Sequence, residues 1–362
     1  MTLLDWVVLT VTILGIASYG AWKNRKVHSA AGYLKGEDLA WPTIGLSIMA
    51  TQASAITFLS VPGQAYEDGM RFVQFYFGLP LAMVVICAVF VPIYHRLGVY
   101  TAYQYLEQRF DVRVRVLAAT LFLIGRGLAA GITIYAPAIV LSAVLGWSLN
   151  AMILAIGVVV IVYTVTGGAR AVAQTQKQQM VVMLAGIVVA AISIAWMLPS
   201  DVGVSGAATL AGALGRMEIV DFEFDPSTRY TFWSGITGGF FLALSYFGTD
   251  QSQVQRYLGG ASLTESRLGL LFNGLLKIPM QMLILSCGIL VFAFHLFDKP
   301  PMVFNAPAIA AVERSAYAPQ LAELGTRWDG AFEARRDAAT RLVAGDETAR
   351  DGLRATHAAM ET

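Results

Sequence analysis

Long apolar runs constrain the fold of this chain more than any other feature of its sequence. A membrane-spanning helix needs about 17 to 25 mostly apolar residues, and about eight segments of the chain meet that requirement. They cover residues 5–22, 42–65, 72–94, 116–145, 150–166, 178–198, 232–250 and 270–297. Composition agrees, because 56% of the residues are hydrophobic and only 14% are charged, unlike a soluble domain. We therefore predict an all-α membrane protein.

Lysine and arginine are concentrated in alternate loops between these runs. The loops after the first, third, fifth and seventh runs contain Lys23, Arg25, Lys26, Lys35, Arg96, Arg109, Arg113, Arg115, Arg170, Lys177, Arg256 and Arg267. The other short loops contain only Arg71, Arg216 and Arg229. Because basic loops stay cytoplasmic, we expect an extracytoplasmic N-terminus and a transmembrane core over residues 1–300. Residues 301–362 would then lie outside and lead to further spans.

The tail after residue 300 differs in composition from the apolar core. It is rich in Ala, Arg and Glu, and it places Leu321, Leu324, Trp328 and Phe332 at helical spacing. This pattern favours a water-exposed helix or helix pair. Since the chain ends at Thr362 without a closing feature, we expect the native protein to continue beyond it.

Several functional classes have no support in the sequence. There is no Walker loop, no GxSxG elbow and no HxxxH or CxxC spacing, so neither an ATPase, a serine hydrolase nor a zinc enzyme is indicated. The two cysteines, Cys87 and Cys287, lie inside apolar runs and fit small buried hydrophobes. A net charge of +1 creates no field that would recruit nucleic acid. We expect no enzymatic activity and no organic cofactor.

The second run, residues 41–69, is too polar in its middle to be a plain anchor. Residues 51–57 read TQASAIT, and Pro62 and Gly63 follow before Glu67 and Asp68. Each polar group in hydrocarbon needs a partner or costs free energy. Such a segment usually lines a cavity or is unwound around a ligand. We interpret it as half of a binding site for a solute and an ion.

Two full charges lie inside predicted spans. Arg126 is in LIGRGLAAGITIY and Lys277 is in FNGLLKIPMQM, and a lone charge at the bilayer centre costs about 3 kcal/mol on insertion scales. Either residue could be snorkelling or structurally paired, or it could face the solute or the coupling ion. The sequence alone leaves both interpretations open.

Five motifs carry a resemblance to a known family. They are ATQASAITFLSVPGQAYEDG, VPIYHRLGVYTAYQYLEQRF, TGGARAVAQT, YFGTDQSQVQRYL and LLKIP, in that order. The second reads as an amphipathic helix within residues 96–115, and the third opens on two glycines that permit a tight turn. With this order and spacing over residues 1–300, the chain resembles the sodium/solute symporter family.

The resemblance implies a LeuT-type inverted-repeat helix bundle with one extra N-terminal helix and an incomplete second repeat. The second and seventh spans would both be broken near the midplane. Ser54–Thr57 and Ser234–Gly239 are the most polar and least helix-favouring parts of those spans, which agrees with that implication. Broken helices present free carbonyls to a cation and free N–H groups to an anion.

The resemblance also implies site residues. The backbone carbonyls of Ala50 and Ala53 would bind Na+, with further ligands on a ninth, serine-rich span that this sequence does not contain. The residues that would line the solute pocket are Gln52, Ser54, Thr57, Tyr246 and Lys277. For Gln52 a hydrogen bond between helices, and for Tyr246 an interfacial anchor, remain open alternatives.

We expect coupling and gating roles at Arg126, Gln176 and Asp250. Gln176 stands where many members of the family have an acidic residue, which puts the strength of ion coupling in question. Gln52 and Thr57 match neither the proline carriers nor the sugar carriers, while Lys277 is a faint indication of a carboxylate-bearing solute.

The expected function is sodium-coupled symport of a small polar organic solute. It would operate by alternating access in the plasma membrane, as a multi-pass protein of a bacterial inner membrane. Its partners would be the solute, Na+ and lipid. The alternatives are a membrane module that senses or binds solute, and an inactive truncated transporter.

Overall fold

The computed structural model describes residues 5–8, 10–12, 15, 18, 38–303 and 306–361. Half of the first predicted span, residues 5–22, and the basic residues that follow it lie outside the described residues. Within the described part the chain forms helices and no strand. The predicted all-α class is therefore confirmed.

The α-helices are numbered here in chain order. Their bounds are α1 Trp41–Gln52, α2 Ala55–Asp68, α3 Leu79–Val85, α4 Val91–Leu97, α5 Ala102–Arg109, α6 Val112–Leu145, α7 Leu149–Met197, α8 Gly203–Ala213, α9 Phe232–Ser234, α10 Phe240–Thr249, α11 Gln251–Leu258, α12 Leu263–Phe294, α13 Ala306–Glu313, α14 Ala318–Val343 and α15 Ala349–Glu361. A 3-10 helix covers Gly69–Tyr76, and π-helical turns cover Ile86–Phe90 and Gly235–Gly239.

Membrane-spanning character is concentrated in four helical segments of the described chain. Ile56–Leu97, Val112–Leu145, Val172–Met197 and Leu263–Phe294 are long and apolar enough to cross a membrane, and Leu149–Ile161 is a shorter apolar helix. These segments indicate a multi-pass membrane protein. The number of spans and their orientation stay predictions.

The chain divides into two compact units. Unit 1 contains residues 1–61, 73–186 and 222–281, and unit 2 contains residues 62–72, 187–221 and 282–362. The predicted division at residue 300 remains an expectation.

In unit 1, the α1–α2 junction is a two-residue break. Helix α1 begins with Pro42 in its first turn and ends at Gln52, and Ala53 follows with a non-helical ψ of 88°. Helix α2 then starts at Ala55. The predicted break is confirmed at Ser54, but it lies slightly earlier than expected, since Thr57 is already helical.

The predicted break at Ser234–Gly239 takes a different form. Residues Gly235–Gly239 make a π-helical turn, and the chain continues directly into α10. A Cβ on Gly235 would collide with the backbone carbonyl of Gln74, and one on Gly239 with that of Phe75. The glycines are therefore needed for close backbone packing, so the prediction of an unwound segment was wrong.

The glycine pair Gly167–Gly168 also behaves differently from expectation. Helix α7 runs from Leu149 to Met197 without interruption, so the tight turn that the two glycines permit in residues 166–180 is not formed. A glycine costs a helix interior only about 1 kcal/mol relative to alanine, and long flanking apolar sequences outweigh that cost. By contrast, the amphipathic helix predicted within residues 96–115 is confirmed as α5, which begins with a capping box at Thr101.

Unit 2 contains the helical tail. Helices α14 and α15 form an antiparallel pair, and Phe332 on α14 is buried, with 1% of its surface exposed. Arg354 on α15 donates from Nε to the carbonyl of Ala213 at the end of α8, at 2.9 Å. The prediction of a helix pair after residue 313 is confirmed.

Candidate functional site

A cavity of about 320 Å³ lies within unit 1. It is bounded by α1, the 3-10 helix, α3, the second π-turn, α10 and α12. The lining residues are Gln52, Phe75, Tyr76, Leu79, Gly239, Leu242, Ala243, Tyr246, Phe247 and Lys277. Three of the predicted solute-binding residues, Gln52, Tyr246 and Lys277, therefore meet at one cavity. We call it the solute cavity.

Lys277 brings the only full charge among the residues that line the solute cavity. Its side chain is 1% exposed, and its Nζ lies 5.4 Å from the centre of the Tyr76 ring. Among the residues that the structure describes, no carboxylate forms an ion pair with it. A buried ammonium group without a counter-charge is costly, and it favours an anionic group in the cavity.

Gln52 is oriented by a residue that sequence reasoning missed. Its Nε2 donates to Oδ1 of Asn273 at 3.1 Å, and Asn273 is fully buried. Asn273, Lys277 and Gln281 follow one another at intervals of four residues on α12, and all three are buried. This spacing places them on one face of the helix. A polar stripe of this period inside an apolar run was the signal that could have identified Asn273.

Tyr246 links the solute cavity to a charged pair. Its hydroxyl accepts from Nε2 of the buried Gln253 at 2.8 Å. The guanidinium carbon of Arg126 lies 5.5 Å from the centre of its ring, and Arg126 forms an ion pair with Asp250. The predicted gating residues Arg126 and Asp250 are thus brought together beside Tyr246.

Asp250 also fixes the start of α11. Its Oδ1 accepts from the backbone N–H of Ser252 at 2.9 Å and from the Ser252 hydroxyl at 2.6 Å. On α5, burial raises the pKa of the Tyr103 phenol, and the nearby Asp250 carboxylate raises it further. Asp250 therefore lies at the start of a short helix outside the long apolar segments.

Ser54 and Thr57 lie apart from the solute cavity. Ser54 lines a second cavity, of about 420 Å³, together with Arg126. Thr57 donates its hydroxyl to the backbone carbonyl of Gln52 at 3.1 Å, which ties α2 to the end of α1. Their predicted contact with solute stays a prediction.

The predicted ion ligands lie at the break after α1. Ala50 is in the last turn of that helix, where its carbonyl accepts from the N–H of Ala53 at 3.2 Å and keeps a second lone pair. Ala53 is the first residue of the break. Hard carbonyl oxygens at an interrupted helix are suitable ligands for Na+, so these residues fit the ion. Their role as ligands stays a prediction.

Gln176, the third predicted coupling residue, contacts the same helix. Its Oε1 accepts from the Ser47 hydroxyl at 2.7 Å and from the Thr51 hydroxyl at 3.3 Å. Gln176 thus joins α7 to α1 through neutral hydrogen bonds, within the last two turns before the break.

Comparison with known proteins identifies the class to which this fold and site belong. Residues 33–324 match the family model described as "Sodium:solute symporter family". The chain belongs to this family, which confirms the resemblance. The family and the relatives it includes are transporters rather than enzymes.

Two human relatives are similar to this chain. The human sodium/iodide cotransporter is 35% identical over 309 residues, which cover 83% of this chain and 47% of that protein. The human sodium-coupled monocarboxylate transporter 1 is 34% identical over 273 residues, covering 74% and 44% respectively. The chain thus spans about half the length of these relatives.

A solved structure shares the fold. It is described as the "substrate-bound outward-open state of a Na+-coupled sialic acid symporter" and matches with a TM-score of 0.78 and 23% sequence identity. The match covers 98% of this chain and 72% of that one. The LeuT-type helical fold is therefore confirmed.

Proposed function

We propose that this chain carries the solute cavity and part of the ion site of a sodium-coupled symporter for a small monovalent anion. The observation that carries the proposal is Lys277, a buried cation that faces a cavity and has no ion pair among the described residues. An anionic solute would supply the missing counter-charge.

The dimensions and chemistry of the cavity narrow the solute. A volume of about 320 Å³ lies at the lower end of small-molecule sites. Its walls are mostly aromatic and aliphatic, with Gln52 and Tyr246 as hydrogen-bonding groups beside Lys277. Weakly hydrated or partly apolar anions suit such walls. Iodide and monocarboxylates, which the names of two relatives specify, include such anions.

Na+ would bind at the break after α1, through the carbonyls of Ala50 and Ala53. Gln52 lies between these two residues and lines the solute cavity, so ion and solute would share one segment. Ordering of the break by the ion would then orient Gln52 for the solute. By linkage, the solute must improve ion binding by the same factor.

Arg126, Asp250 and Gln176 are proposed to control access and coupling. The Arg126–Asp250 pair beside Tyr246 would close the solute cavity on the side of α11, and Gln176 would hold α7 against α1. Coupling to Na+ also requires a membrane that maintains a Na+ gradient. We therefore place the protein in the plasma membrane, which in a bacterium is the inner membrane.

Uptake into proteoliposomes tests this function. The protein should be isolated from its native membrane, and its intact mass should be compared with the 39.0 kDa of this chain. We expect uptake of radioactive iodide or propionate in a Na+ gradient, and its loss when choline replaces Na+. Glucose, which is neutral, should neither be taken up nor compete. Equal anion uptake in choline, or Na+-driven glucose uptake, would contradict the proposal.

A further inference from the structure

The second cavity contains a cationic group in otherwise apolar surroundings. It has a volume of about 420 Å³ and lies between α6, α7 and the break after α1. Arg126, Ser54 and Thr133 are its polar lining residues. The Thr133 hydroxyl already donates to the carbonyl of Ala129 at 2.9 Å. Arg126 and Ser54 therefore give the cavity its capacity to bind a polar ligand.

Arg126 is suited to exchange one anionic partner for another. Its side chain is 34% exposed, and that of its partner Asp250 is 20% exposed. Their ion pair joins one guanidinium nitrogen to one carboxylate oxygen, whereas a guanidinium group has five N–H donors. A partly solvated pair of this kind contributes little net free energy, so a second anion can compete for the guanidinium.

Tyr246 connects this cavity with the solute cavity. Its side chain lines the solute cavity together with Lys277, while its ring contacts Arg126, which lines the second cavity. Movement of the Tyr246 side chain would therefore open a direct path from Lys277 to Arg126.

We infer that the second cavity is a second binding site for the transported anion, at which the anion competes with Asp250 for Arg126. This inference rests on the proposed function. The anion would leave Lys277, pass Tyr246 and form hydrogen bonds with the Arg126 guanidinium and the Ser54 hydroxyl. By displacing Asp250 it would release the pair that closes the solute cavity. The solute would thus open its own exit.

Asp250→Asn is the most informative variant. Asparagine is as good an N-cap as aspartate, so the start of α11 should be retained while the competing charge is removed. The inference therefore predicts tighter anion binding at the second site, by about tenfold, corresponding to ~1.4 kcal/mol. If Asp250 only closed the solute cavity and did not compete with the anion, Asp250→Asn would not tighten anion binding.

Equilibrium binding of iodide to the purified chain in dodecyl maltoside tests the prediction. This detergent has no anionic group, so the detergent itself does not supply an anion to the cavity. The wild type should bind two iodide ions with different affinities. Arg126→Gln should abolish the weaker site and retain the tighter one, and Lys277→Gln should do the reverse. Asp250→Asn should tighten only the weaker site.

Failure of this inference can be distinguished from failure of the proposed function. A single Lys277-dependent iodide site, unchanged by Arg126→Gln and Asp250→Asn, would overturn the second site and leave the proposed function intact. If neither the wild type nor Asp250→Asn binds iodide in the presence of Na+, both the second site and the proposed function are overturned. Circular dichroism must show that the protein tested is a folded helical chain.

Discussion

Replacement of Lys277 by methionine separates the cost of a buried ammonium group from its attraction for an anion. The side chain is 1% exposed and contacts the Tyr76 ring at 5.4 Å. Such a cation–π contact returns about 0.5–2 kcal/mol, whereas burying an ammonium ion costs several kcal/mol. Methionine has a similar length and no charge. We therefore expect the ligand-free variant to gain about 1–3 kcal/mol in free energy of unfolding.

The anion should distinguish the two proteins. At 100 times its Kd for the Lys277 site, iodide should stabilise the wild type by about 2.7 kcal/mol. It should stabilise Lys277→Met less, because only the weaker site at Arg126 remains. Thermal and denaturant unfolding in maltoside, with and without iodide in Na+, would measure both effects. Lys299→Met is a matched control, because Lys299 is 46% exposed and pairs with Asp329 at 2.7 Å. The reasoning is refuted if Lys277→Met is less stable than wild type and iodide stabilises it as strongly as it stabilises the wild type.

Three further changes test other parts of the structure. Gly235→Ala should lower stability by roughly 1–3 kcal/mol through overpacking, whereas Gly238→Ala, which has open space around it, should cost less than half as much; equal melting temperatures would contradict this. Gln176→Glu adds a carboxylate beside the α1 hydroxyls and should lower the Na+ concentration needed for iodide binding about tenfold (~1.4 kcal/mol); a higher requirement would disprove it. The Thr348 hydroxyl lowers the pKa of Asp346 below 3.8. The Asp346 carboxylate therefore contributes stability above pH 3.8, and this contribution is lost as the pH falls through the lowered pKa. Circular dichroism melts from pH 5 to pH 2 should show the loss in the wild type and not in Asp346→Asn.

Residue patterns predicted those features that depend on local chemistry. The apolar runs gave the helical membrane class, the polar sequence around Ser54 located the break after α1, and the amphipathic pattern within residues 96–115 predicted α5. Each of these signals lies within one continuous segment of the chain. They survive folding because tertiary contacts reinforce them.

Glycine-rich segments were misread because a glycine has more than one use. The pair in α7 lies in an uninterrupted helix, and Gly235 and Gly239 permit close backbone packing in a π-turn. Sequence alone does not distinguish a turn from a close approach, since both require a residue without Cβ. The distinction depends on a distant segment, here the 3-10 helix Gly69–Tyr76.

The sequence predicted which residues belong to the candidate site better than it predicted how their side chains are arranged. Gln52, Tyr246 and Lys277 line one cavity, but Ser54 lines another. Ser54 and Gln52 are two residues apart across a helix end, so the direction of each side chain depends on the torsion angles of Ala53. No residue pattern specifies those angles. The same is true of the pairing between Arg126 and Asp250, which lie 124 positions apart in sequence.

The effect of Na+ on anion affinity tests the central claim most directly. Calorimetric titration of the purified protein with iodide should be performed at constant ionic strength, with Na+ progressively replaced by choline. The account predicts that iodide affinity rises at least tenfold, about 1.4 kcal/mol, as Na+ increases. It also predicts that iodide improves Na+ affinity by the same factor. An iodide affinity that is the same in Na+ and in choline would contradict the account.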